Sequence, residues 1–443
     1  MPCRQWLSPT SALRSRLGRC GHRLPTRVRF LTGCSNGPSG GIGTFVRESG
    51  CVLLKYGELA LKGRNRRHFE DRLAENVRRA LADVAGVRLR RRAGLLVLSA
   101  RAELDELVRR ARDVPGVSVV QPAVRAGKTA DEAAAAAVDL LRAEPERTFR
   151  VRVRRRDKRF PMTSEELAAQ VGAQVVAELG LPVDLEHPDV TVTVEVDEFE
   201  IFVSAQRLPG QGGLPVGTGG RAVVLLSGGF DSPVAAYRIL RRGVHCEFVH
   251  FTGAPFTGPS SAYKAYAHVR SLRRFHGDAR LHLVPLGKAQ RALANAGVGE
   301  LQIVAQRRLM IRCAEALARR LHADALVTGD SLGQVASQTL PNLATIDDAA
   351  TLPVLRPLLG WDKTEIIAEA RRIGTADVSA LPDEDCCSLL TPPFVATRTT
   401  PGQLTDLEGH LDLPSTVDGL LDHAQVLRPG ADEHEAALGV VES

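Results

Sequence analysis

At 443 residues, 44% of them apolar, the chain is long enough for two or three domains with substantial cores, and it contains no run of about eighteen apolar residues, so a membrane span is not expected. Its formal net charge of +7 conceals a division: residues 51–160 hold 27 Lys and Arg against 15 Asp and Glu, whereas residues 161–443 hold 23 against 35. Eight cysteines with neither a CxxC pair nor regular spacing argue against a secreted disulfide framework and for a reducing, cytoplasmic setting.

A basic front on an acidic back suits a protein that grips a polyanion with one part and does chemistry with the other; a solvated Arg-rich surface would give the same count. Residues 1–50 are rich in Arg, Ser, Gly and Pro without periodic apolar positions, and read as a disordered extension. A transit peptide, an upstream start codon and a loose tail all fit that composition.

Order begins at Cys51–Glu58 with a short strand. Phe69, Leu73, Val77, Leu81 and Val84 then mark one face of a helix, followed by a strand over 94–100 and a helix over 102–112. A second unit runs to about 206. Its first helix spans 130–143, with Asp131 and Glu132 placed to meet the helix dipole. Over 148–154 the apolar Phe149, Val151 and Val153 alternate with Arg150, Arg152 and Arg154, so strand periodicity puts three guanidinium groups on one face, extended by Arg155, Arg156, Lys158 and Arg159. A helix over 163–180 and strands over 190–196 and 201–205 complete the unit. Guanidinium forks with few aromatics suit the backbone of a folded RNA better than base stacking.

Six glycines in the eleven residues 210–220 read as a linker. Then Ala222–Leu226, apolar without alternation, reads as a strand covered on both faces. It runs into Ser227-Gly228-Gly229-Phe230-Asp231-Ser232 and a helix start, where flexible glycines and the helix's first free N–H groups make an anion site. This hexapeptide resembles the pyrophosphate-binding loop of the PP-loop ATP pyrophosphatases. A kinase-type P-loop is excluded, because Gly127-Lys128-Thr129 has Pro122 where the first glycine must stand. Alternating strands and helices continue: strands at 245–251, 280–285 and 325–328, helices near 261–276 and 300–322. The strand ends carry His250-Phe251 and Gly329-Asp330-Ser331 to the same crevice. His250 there reads equally as a nucleotide contact and as a core histidine.

Leu54-Lys55-Tyr56-Gly57-Glu58-Leu59-Ala60-Leu61-Lys62-Gly63, the loop just described, residues 329–339, Arg356-Pro357-Leu358 and Glu384-Asp385-Cys386-Cys387 together resemble the tRNA 4-thiouridine synthase family, the tRNA uracil 4-sulfurtransferases. The resemblance implies an α/β chain in which a PP-loop (adenine nucleotide alpha hydrolase-like) parallel-sheet domain, 207–443, follows a ferredoxin-like domain, 51–100, and a THUMP RNA-binding domain, 101–206. Carried over, the family's ATP contacts fall on Leu225, Leu226, His250, Phe251, Arg307, Gly329 and Gln338, with Ser227, Gly228, Gly229, Asp231 and Ser232 forming the pyrophosphate loop. Lys363 matches a lysine implicated in adenylylation; it also reads as an ordinary exposed helix lysine behind the capping pair Asp362 and Glu365. Cys386 matches the catalytic-domain cysteine, and Cys387 is open as a resolving, structural or idle thiol.

The activity implied is ATP-dependent formation of 4-thiouridine at tRNA position 8: uracil O4 attacks the α-phosphate with Mg2+ present, and a persulfide then attacks C4. No protein-held metal is expected. Longer family members carry a rhodanese domain with a second cysteine, which the sequence to Ser443 lacks. Sulfur is therefore expected from a cysteine desulfurase directly onto Cys386, and the family's second role, feeding a ubiquitin-like sulfur carrier of thiazole (thiamine) synthesis, is in doubt. A homodimer is a further expectation from the family. The rivals are another PP-loop reaction on tRNA and a non-catalytic tRNA-binding module.

Overall fold

The computed structural model describes residues 50–142, 147–382, 392–409 and 412–430. Cys386 and Cys387, and all but the last residue of the amino-terminal extension, lie outside them.

The front of the chain builds one continuous sheet. Its elements are β1 (Gly50–Lys55), α1 (Arg66–Ala80), β2 (Arg88–Arg92), β3 (Leu95–Ser99), α2 (Leu104–Arg112), β4 (Val119–Ala126), α3 (Ala130–Leu141), β5 (Phe149–Arg155), α4 (Ser164–Leu179), β6 (Val190–Val196), β7 (Ile201–Ser204) and β8 (Leu208–Pro209). The strand order is β2-β3-β1-β4-β7-β6-β5, with β8 added on β4. Leu73 and Val77 of α1 and Leu107 and Ala111 of α2 pack on Val52, Leu54 and Val120, and the Ala-rich α3 with α4 packs on Val192, Val194 and Val203. Thr129 and Thr163 cap α3 and α4, the latter in a reciprocal capping box with Glu166. β4 joins the halves: it pairs with β1 along its length and with β7 from Val124.

The glycine-rich segment is a fixed strap. Gly210 and Gly212 donate to the carbonyls of Ser118 (3.1 Å) and Val117 (2.7 Å), then Leu214 and Gly217 donate to those of Arg241 (2.9 Å) and Gly243 (2.7 Å). Gly212, Gly213, Gly217 and Gly220 take φ of +64, +71, +92 and +83°, a region closed to most side chains. A Cβ on Gly213 would strike the Arg241 carbonyl. Here glycine serves left-handed turns and close approach, not looseness.

The back comprises β9 (Arg221–Leu225), α5 (Asp231–Leu240), β10 (His245–Thr252), α6 (Ser260–His276), β11 (Leu281–Pro285), α7 (Gly287–Asn295), α8 (Gln302–Arg320), β12 (Ala325–Val327), α9 (Leu340–Asp347), β13 (Val354–Leu355), α10 (Lys363–Arg372), α11 (Ala376–Ser379), α12 (Pro401–Glu408), α13 (Leu413–Asp422) and β14 (Gln425–Leu427). The sheet order is β13-β12-β9-β10-β11-β14, parallel except for β14. Ala222 and Val224 enter the core under α5, α6 and α10, while Val223 enters the core under α8 and α13. Burial on both faces explains why β9 lacks alternation.

Candidate functional site

Between β9 and α5 the chain turns through Leu226–Phe230. The Ser232 hydroxyl accepts from the Ser227 amide (2.8 Å) and lies 3.0 Å from the Ser227 hydroxyl. No side chain caps the first turn of α5, so its leading amides and positive dipole end are available to an anion. Gly329, just past β12, sits against this turn: a Cβ there would come within 2.6 Å of Ser232 N and 2.9 Å of the Asp231 carbonyl carbon. Its glycine is thus required by the contact between β12 and α5.

At the end of β10, His250 is buried. Its Nδ1 donates to the Leu226 carbonyl at 2.8 Å, which fixes the tautomer, and Nε2 lies 3.1 Å from the Ser261 hydroxyl. Of its two readings, the geometry favours an internal brace for the loop. Leu225 and Phe251 flank it, half-buried and buried respectively, and the Leu226 amide donates to Val249.

Arg307 and Gln338 meet at Asp330, which the sequence placed at the crevice without assigning it a role. Asp330, buried, accepts from Arg307 (2.5 Å), Gln338 (3.2 Å), Arg356 (3.0 Å) and the Thr328 hydroxyl (2.7 Å). Burial alone would raise its carboxyl, but Arg307, Thr328 and Arg356 outweigh that and hold it below the usual range. Arg356 also forks onto Asp347 at 2.6 and 2.9 Å. At the mouth, Lys363 Nζ reaches Asp231, whose Oδ2 also accepts from Gln334 at 3.3 Å. Asp330 and Arg356 stand inside quoted motifs; what hid them is that their partners are remote in sequence.

On the front sheet, Arg152, Arg154 and Lys158 are exposed, while the half-buried Arg150 donates to the Thr191 hydroxyl and the Leu185 carbonyl. Arg156 departs from the expected patch. Its side chain is 9% exposed and forks onto Glu195, which is 0% exposed and also holds Lys55. A buried carboxylate requires such partners, so this guanidinium is spent inside the fold. β2, unforeseen, puts Arg88 and Arg90 on the opposite edge of the same sheet, giving it two arginine-bearing borders.

Cys51, Cys246 and Cys313 are buried, and burial pushes the thiols of Cys51 and Cys313 up to about 12. These stay protonated and inert.

Three family models match in chain order: the ThiI ferredoxin-like domain over 51–120, the THUMP domain over 128–206, and the thiamine biosynthesis protein ThiI over 217–413. A probable tRNA sulfurtransferase of Nocardia farcinica is 61% identical over 388 residues, covering 86% of this chain and 94% of that one; its counterpart in Moorella thermoacetica is 40% identical, covering 86% and 98%. A crystal structure of a 4-thiouridine synthetase in complex with RNA and with bound ATP superposes with a TM-score of 0.80 at 34% identity, covering 86% of this chain and 99% of that one. The phosphate-loop sheet, the arginine-edged front sheet and these similarities agree: the chain belongs to the ThiI family of tRNA sulfurtransferases.

Proposed function

We propose that the chain makes 4-thiouridine at position 8 of tRNA, with ATP lying across the ends of β9, β10 and β12. The observation that carries this is the convergence of an uncapped helix start at Asp231, the glycine at 329 and the Asp330-held pair Arg307 and Gln338 on one sheet edge. The phosphates would rest on the amides of Gly228–Ser232 and the base near Arg307, Gly329 and Gln338. Mg2+ would come with the triphosphate: among the described residues no three carboxylate, His or Cys groups cluster to cage it, and Asp231 is the carboxylate at the loop.

Uracil O4 attacks the α-phosphorus, forming the O–P bond as pyrophosphate leaves. Lys363 would stabilise the charge that develops there. A persulfide on Cys386, supplied by a cysteine desulfurase, then attacks C4 and displaces AMP, and a second thiol opens the sulfur–sulfur bond. The chain enters this region beside the loop: the Ser379 hydroxyl donates to Gly229 O at 3.3 Å, and Lys264 holds the Leu381 carbonyl at 2.6 Å. Cys386 follows Pro382 by four residues, a covalent reach of about 14 Å. On the far side, Thr339 and Asn342 hold the carbonyls of Thr397 and Ala396 at 2.7 and 2.8 Å. Arg152, Arg154 and Lys158 would grip the tRNA backbone.

Mass spectrometry of tRNA nucleosides from cells lacking the protein tests the reading; unchanged 4-thiouridine overturns it. With desulfurase, cysteine, ATP and unmodified tRNA, thiolation surviving Cys386→Ser would remove Cys386 from the mechanism. Delivery to a sulfur carrier of thiazole synthesis and a homodimer are checked by the same mixture with carrier protein and by sedimentation.

A further inference from the structure

Every carbonyl from Leu226 to Gly229 is held by a hydrogen bond. Leu226 O accepts from His250 Nδ1 (2.8 Å), Ser227 O from the Ser232 hydroxyl (3.3 Å), Gly228 O from His268 Nε2 (3.3 Å) and Gly229 O from the Ser379 hydroxyl (3.3 Å). A carbonyl oxygen only accepts, so the proton of His268 sits on Nε2. The last two donors are remote in sequence, on α6 and α11, and both are buried. The single Ser379 proton is shared between Gly229 O and the closer Thr375 O at 3.0 Å, and the Ser379 carbonyl in turn accepts from Lys264 at 3.2 Å.

In a trans peptide the C=O and N–H of one plane point in opposite directions. Holding Gly228 O therefore fixes the direction of the Gly229 amide, and holding Gly229 O fixes that of the Phe230 amide. Glycines at 228 and 229 otherwise leave the Phe230 amide plane free to rotate and the Gly229 amide held only by a long 3.4 Å bond to the Ser227 hydroxyl, and an unordered amide loses part of its attraction for an anion to the cost of ordering it. Both fixed amides belong to the turn that leads into the uncapped start of α5.

We propose that His268 and Ser379 are positioning residues that pre-orient the amides of Gly229 and Phe230 toward a polyphosphate. The inference rests on the ATP reading above and adds residues that lie outside the loop motif. It also explains why α11, a single turn, is tied to both the loop and α6.

The test is calorimetric titration of the full chain with ATP, with inorganic pyrophosphate and with adenosine, each with Mg2+, for wild type, Ser379→Ala, Ser379→Thr, His268→Leu and His268→Gln. Losing one oriented hydrogen bond should weaken ATP and pyrophosphate about five- to twenty-fold in S379A and H268L. Adenosine affinity should stay within about two-fold, and S379T and H268Q, which restore a donor, should recover most of the loss. Unchanged pyrophosphate binding overturns the inference, as does equal weakening of adenosine without rescue, which would mark a merely structural role. Failure of the wild type to bind ATP or pyrophosphate would instead remove the ATP reading, and this inference with it.

Discussion

Lys363 Nζ lies 2.8 Å from Oδ1 and 3.0 Å from Oδ2 of Asp231, joining the first turn of α10 to the first turn of α5 across 132 residues of chain. The pair is partly exposed, so it contributes less than about 1 kcal/mol to the fold. Lys363→Ala should therefore unfold within about two degrees of wild type yet lose on the order of a hundred-fold in tRNA-dependent AMP release. Thermal unfolding and AMP assays on the same preparation check both halves.

Gly329→Ala should do the reverse of a surface change. Its new methyl meets backbone atoms of Asp231 and Ser232, which cannot swing aside as a flexible side chain would. A cost of about 1–3 kcal/mol in stability is expected, with weakened ATP binding because the start of α5 must shift. Denaturant titration and calorimetry measure the two losses.

The arginines of β5 and the one just after it should divide into two classes. Replacing Arg152 and Arg154 by Ala should lower tRNA affinity and flatten its salt dependence, each lost phosphate contact removing about 0.7–0.9 from the log–log slope. Arg156→Ala should instead destabilise the front sheet by up to about 3 kcal/mol, because Glu195 Oε2 loses its partner while Lys55 remains on Oε1. Filter binding at several salt concentrations, beside urea titrations, separates the classes.

His276 makes the fold sensitive to acid. Burial, with nearby His245, pushes its pKa down from 6.5 to about 3, and Nε2 accepts from the Cys246 amide at 3.0 Å. Between those values the unfolded chain binds the proton and the folded chain does not, so stability must fall as pH drops below about 6.5, by up to about 1.4 kcal/mol per unit from this residue. His282, lowered by burial, acts in the same direction. His276→Gln can offer its amide oxygen to Cys246 and does not titrate, so it should reduce the slope of unfolding free energy between pH 7 and 5.

Periodicity located most elements because each buries one face: β6 appears at 190–196 as expected, and α4 at Ser164–Leu179 within a residue of its expected ends. Besides the two-residue β8, two front strands escaped for opposite reasons. β2 is RLRRR, without an apolar face to betray it, and β4 contains Pro122, which argues against an internal strand yet sits between the stretch paired with β8 and the stretch paired with β7. The phosphate loop was legible because its chemistry is contiguous. Asp330 beneath Arg307, His268 behind Gly228 and Arg156 beneath the basic strand were not, since each owes its role to a partner on another element.

The strap from Gly210 to Gly220 bears on substrate choice. Stitched by main-chain bonds first to the residues just before β4 and then to the turn between α5 and β10, it works as a caliper with its jaws locked. On the function proposed above, an RNA clasped by the front sheet would offer to the reaction centre only bases lying at one set distance from the clasp, so that selection would fall to the span of the RNA's folded shape and not to the identity of the letters along it.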